Sequence, residues 1–100
     1  MWKNTATDNL FDTVLMLENR AEAQDFFRDL LTEEEILEFA NRWQVACMLA
    51  KHTPYTEIAR ETGMSSTTTA RISKWLKGGC GGYTRMIKRV KNEKNSSKTE

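Results

Sequence analysis

A chain of 100 residues, 39% of them hydrophobic, has material for one core and no second domain, because a fold this small hides only about two-thirds of its unfolded surface. It holds no apolar run of about 18 residues and no leader-like stretch after Lys3, which argues against a membrane span or export and for a cytoplasmic protein. The formal charge of +1 is a cancellation: Asp8 to Ala40 carries ten acidic residues against Arg20 and Arg28, whereas Asn41 to Glu100 carries twelve basic residues against four acidic ones.

No stretch alternates apolar and polar residues between turn signals, so the expected fold is all-α. After a flexible N-terminus (residues 1–7), a first helix opens on Asp8 as N-cap, sets Leu10, Phe11, Val14, Leu15 and Leu17 largely on one stripe, and stops near Asn19. A second helix runs from about Arg20 to Leu31, with Ala23, Phe26, Phe27, Leu30 and Leu31 at helical spacing. Thr32 followed by Glu35 is a capping box, and Glu33, Glu34 and Glu35 together suit the positive end of a helix dipole.

The third helix that starts there reaches about Lys51. Its apolar residues, from Ile36 and Leu37 to Met48 and Leu49, occupy more than one stripe, so the helix must be surrounded. In so small a bundle a second copy of the chain can supply the missing neighbours, and a homodimer is expected. Pro54 opens a short helix that ends at Gly63. Ser65 or Ser66 caps a further helix to about Lys77, where GGCGG terminates it and provides a hinge. Tyr83 to Val90 forms a last helix with Met86, Ile87 and Val90 on one side. Residues 8–90 thus make one helical domain, and residues 91–100, which lack any apolar residue, are expected to be a disordered basic tail.

The function-bearing segment is YTEIARETGMSSTTTARISKWLK, Tyr55 to Lys77, within a helix-turn-helix at 54–77. Ile58 points the first helix inward, and Ala59 is small where the second helix crosses. Gly63 supplies the left-handed backbone of the turn, Met64 plugs the corner, and Ile72 anchors the second helix. Two helices joined in this way leave the second one protruding, shaped for a major groove about 12 Å wide. Ser65, Ser66, Thr67 and Thr68 are short donors and acceptors at its N-terminal end, with Ala70, Arg71, Lys74 and Lys77 farther along. Arg71 can read guanine or pin a phosphate, and Lys77, Arg85, Lys88, Arg89 and Lys91 suit phosphates rather than bases. Serine and threonine are weak helix formers, so their run here fits a contact face better than a plain solvated one. Tyr55 fits either the duplex backbone or a hydrophobic staple. The expected partner is double-stranded DNA.

Catalysis is not expected. His52 stands alone beside a loop, and Cys47 and Cys80 match neither a disulfide framework nor a metal or redox motif.

The LLTEEE start, the long helix and YTEIARETGMSSTTTARISKWLKGGCGGY, taken in that order, resemble the Trp repressor family, and within it the YerC/YecD-like branch. The resemblance covers roughly Leu10 to Val90. It implies an intertwined all-helical homodimer whose N-terminal helices interlock and whose two recognition helices enter successive major grooves of a palindromic operator. It also implies a ligand site, since two arginines of the Trp repressor that sandwich the corepressor L-tryptophan fall on Arg42 and Arg71. The family pattern then requires a glycine and a serine to leave room for the indole, where this chain has Ile72 and Trp75. That departure implies a pocket filled by the protein's own side chains and a regulator needing no cofactor, with Arg42 free to pair with an N-terminal carboxylate of its own or of a partner chain. Three functions follow: a sequence-specific DNA-binding regulator, and in particular a repressor; a regulator gated by a tryptophan-like molecule; and an adaptor that binds only proteins.

Overall fold

The computed structural model describes residues 1–99, with side chains through Asn95. Among the described residues the chain forms six helices and no strand: α1 (Thr5–Val14), α2 (Arg20–Leu30), α3 (Glu33–Ala50), α4 (Tyr55–Thr62), α5 (Ser66–Gly78) and α6 (Gly82–Thr99). Two compact units divide at Leu37 and Glu38.

In the first unit, Met1–Leu37, capping decides where helices begin. Asn4, not Asp8, caps α1: its Oδ1 accepts from the Thr7 amide at 3.0 Å, and the Thr7 hydroxyl accepts from the Asn4 amide at 2.9 Å. The segment expected to be flexible is therefore helical from Thr5. At the other end α1 stops at Val14, short of Asn19, because Asn19 is itself the cap of α2, accepting from the Glu22 amide at 2.9 Å. Thr32 and Glu35 form the expected reciprocal pair at the head of α3, with bonds of 3.1 and 2.9 Å. The 2.9 Å bond from the Thr32 amide favours the ionised carboxylate and, with the Thr32 hydroxyl beside it, holds Glu35 below its ordinary value. The contribution of this cap to stability is therefore complete above the usual carboxylate range and is lost as pH falls through the lowered value of Glu35. Glu35→Gln should remove that part of the acid limb of a thermal-melting profile, and an unchanged limb would refute the assignment. Neither α1 nor α2 contains a buried residue; Trp2 meets Phe11 edge-on at 6.4 Å, and Phe26 meets Phe27 at 5.6 Å.

The second unit, Glu38–Glu100, holds the core. Val45 and Ala46 of α3, Ile58 of α4 and Ile72 of α5 are completely buried, with Met48, Leu49, Met64, Tyr83 and Ile87 packed around them. Trp43 stacks on Tyr83 with ring centroids 6.4 Å apart, tying α3 to α6. His52 ends α3 in the left-handed conformation (φ 62°). The Thr53 amide returns to the Met48 carbonyl at 3.0 Å and the His52 amide to Leu49 at 2.9 Å, a Schellman closure in which histidine occupies the place usually given to glycine. Pro54 stands at the N-cap of α4, one residue before the helical position expected for it.

α6 runs on to Thr99, past Val90 where order was expected to end. Lys91 to Lys94 have no apolar face to bury, but lysine and glutamate are good helix formers and extending an existing helix adds a hydrogen bond per residue without a new nucleus. Glu100 lies outside the described residues. No helix among the described residues is long and apolar enough to cross a membrane.

Candidate nucleic-acid interface

The unit formed by α4, a tight turn and α5 is fixed from inside and open outside. Gly63 closes α4 with φ 73°, and its amide bonds the Ala59 carbonyl at 2.8 Å. The Thr62 hydroxyl donates to the Ile58 carbonyl at 2.7 Å and accepts from the Met64 amide at 3.2 Å, so the turn is hydrogen-bonded on both sides of the glycine. An added Cβ at Gly63 meets nothing within 4 Å, which leaves the backbone angle as the reason for glycine. Gly63→Ala should therefore cost about 1–2 kcal/mol of stability through left-handed strain, read by chemical denaturation. A neutral substitution would show that the turn relaxes to another backbone.

Ser65 is the cap of α5. Its Oγ accepts from the Thr68 amide at 3.2 Å, and its hydroxyl also donates to Thr68 Oγ1 at 3.1 Å. Thr69 turns the other way: it is buried, and its hydroxyl returns to the Ser65 carbonyl at 2.9 Å. With Ile72 and Ser73, Thr69 makes up the buried face of α5. The solvent side of α5 carries Ser66, Thr67, Ala70, Arg71, Lys74 and Lys77, six of the residues singled out from the sequence, with Thr67, Arg71 and Lys74 directly opposite the buried face. Thr68 is half-buried and engaged with the cap, so it is the least available of the eight. Among the described residues Arg71, Lys74 and Lys77 enter no ion pair; the pairs present are Arg28–Glu33, Arg42–Glu38 and Arg60–Glu57.

Two expectations need correction. Ala59 is exposed and does not sit in a close helix crossing; its contribution to the turn is the carbonyl that Gly63 bonds. Ile72 fills the core as expected, but Trp75 does not follow it inside and remains 45% exposed, on the flank of α5 shared with Arg71 one turn earlier. Arg42 does pair with a carboxylate of the acidic N-terminal half of its own chain, Nη2 to Glu38 Oε1 at 3.1 Å, while its Nε is buried without a partner. Tyr55 is exposed, which does not support the staple. The exposure of Trp75 had no sequence signal, because tryptophan beside a core isoleucine reads as core. Burial pushes the Cys47 thiol up, the opposite of an activated nucleophile.

The model of the Trp repressor protein family matches residues 5–91. This chain belongs to the Trp repressor family. Among its relatives there, it is 37% identical over 93 residues to the uncharacterized protein YerC of Bacillus subtilis (strain 168), a match spanning 93% of this chain and 89% of YerC. A solved TrpR-like protein from Eubacterium eligens ATCC 27750 superposes with a TM-score of 0.86 at 40% identity, covering 89% of this chain and 92% of that one. A second solved structure, from Staphylococcus aureus, gives 0.84 at 39% identity with 89% of each chain covered. The Trp repressor assignment and the all-helical fold thus agree, through relatives of nearly the same length.

Proposed function

We propose that this member of the Trp repressor family is a sequence-specific DNA-binding transcriptional regulator, and in particular a repressor. In this reading it acts in the cytoplasm as a homodimer with α4 and α5 as a helix-turn-helix. The observation that carries the proposal is the division of α5. Its inner face is locked by Ile72 and Thr69, and its outer face presents Ser66, Thr67, Ala70, Arg71, Lys74 and Lys77 to solvent with every cation unpaired among the described residues. Short side chains near the N-terminal end allow base edges to come close, and the basic residues beyond can hold phosphates. Exposed Phe11, Leu15, Met16, Leu37 and Phe39 support the homodimer, since a single chain leaves this much large apolar surface in water.

Gating by a tryptophan-like molecule has less support, because Ile72 fills the position that would have to be open and Arg42 is held by Glu38. Selection of bound duplexes from a random pool, with and without a metabolite mixture, tests both readings. A symmetric motif enriched equally in the two arms is expected, with affinity falling steeply as salt rises. Enrichment only with metabolites would favour gating, and no enrichment in either arm would leave the protein-binding adaptor.

A further inference from the structure

Five basic residues lie between the end of α5 and the middle of α6, but only three share a cleft. Lys77, Arg85 and Lys88 line it together with Gly79, Gly81 and Thr84, around a volume of about 430 Å³. Arg89 and Lys91 are not part of it; the Arg89 guanidinium instead approaches Met86 Sδ at 3.8 Å.

The cleft has a defined floor. The Thr84 hydroxyl donates to the Leu76 carbonyl at 3.2 Å, tying the first turn of α6 to the last turn of α5. A Cβ on Gly79 would stand 2.5 Å from the Trp75 carbonyl oxygen, and Gly81 has φ +84°, so both positions require glycine on backbone grounds. Bare main chain therefore separates the cations. Among the described residues no carboxylate lines the cleft, and none of the three cations has an ion pair or a hydrogen-bond partner. Like charges gathered without a counterion raise the local potential, and an anion relieves it. A guanidinium fork flanked by two ammonium groups matches the several oxygens of a tetrahedral phosphate better than the two of a carboxylate.

We propose that this cleft is a phosphate site, in which Lys77, Arg85 and Lys88 hold one phosphate group, either a phosphodiester of the DNA backbone or a free phosphate. The backbone phosphate is the occupant favoured by position, a point that rests on the DNA-binding reading above. Lys77 lies eleven residues beyond Ser66 on α5, about 16 Å along the axis at 1.5 Å per residue. A helix with its N-terminal turns in a groove about 12 Å wide brings its far end to the rim, where the phosphates run.

The test uses the full chain, the double variant R85Q/K88Q, the single variant Lys88→Gln in case the double variant does not fold, and the charge-retaining R85K/K88R. Inorganic phosphate is titrated against sodium chloride at matched ionic strength while the amide signals of Gly79, Gly81, Thr84 and Arg85 are followed by NMR. In parallel, the salt dependence of binding to a random-sequence duplex is measured. Saturable phosphate shifts that vanish in R85Q/K88Q are expected, with a log–log salt slope smaller by about 0.9 for each DNA phosphate that the variant leaves unneutralised and restored in R85K/K88R. Phosphate shifts with an unchanged slope would support the site and identify free phosphate as its occupant. Absence of phosphate-specific shifts overturns the proposal, even if the slope falls, since that combination means diffuse charge without a built site. Should the wild-type chain bind no duplex at all, the DNA-binding reading fails while the phosphate titration still decides the cleft.

Discussion

Arg71→Ala should weaken binding to the selected duplex by about 1–3 kcal/mol, on the order of five- to 150-fold, with thermal stability unchanged. Arg71 is exposed on the outer face of α5 and pairs with no acidic residue among those described, so its removal breaks no interaction that holds the fold. Alanine also continues a helix as well as any residue. The readout separates two roles. If Arg71 touches a phosphate, affinity falls on all sequences alike and the salt slope shrinks by about 1. If it reads a base, the loss is concentrated on the selected site, which drifts toward random DNA. Affinity and slope both equal to wild type would remove α5 from the interface.

Ile72→Ala acts on the other face of the same helix and should lower the free energy of unfolding by about 2–5 kcal/mol. Ile72 is fully buried against a core whose other completely buried hydrophobic residues are Val45, Ala46 and Ile58. A loss of that size is a large share of the roughly 5–15 kcal/mol that holds a typical domain together. Ile72→Val, which removes one methylene, should cost about 0.5–1.5 kcal/mol. Denaturant unfolding of the two variants beside wild type checks the ranking. Equal stabilities would mean that α5 is held chiefly by something else, such as Thr84 and the tie to α6.

The sequence was most readable where one residue type had one physical reason to be present. Thr32 with Glu35, Gly63 at a left-handed turn, and Ser65 before a polar helix each mark a boundary by a local rule, and the helices begin or end there. Ile58 and Ile72 were legible as inward anchors for the same reason. The sequence was ambiguous where two rules competed. Asp8 and Asn4 are both acceptable caps, and the threonine three residues beyond Asn4 decided between them through a box whose partner is not the usual glutamate or glutamine. From Lys91 to Asn95 the lack of apolar residues speaks only to packing, whereas helix continuation depends on propensity and an existing nucleus. On α5, the exposed residues could be named in advance but the half-burial of Thr68 and the exposure of Trp75 could not, since both depend on how the helix is rotated against its neighbours.

The first two helices contain no buried residue, and Trp2, Phe11, Leu15 and Met16 lie open to water. In a homodimer of the kind proposed, covering that surface is a second-order event, and while most of the chain is unpaired the dimer grows with the square of the amount made. A regulator built this way would respond to its own copy number: below a threshold of expression it would be largely unassembled, and a modest rise in synthesis would switch it on without any signal molecule. Halving the dose of its gene would then reduce occupancy of a site by more than half.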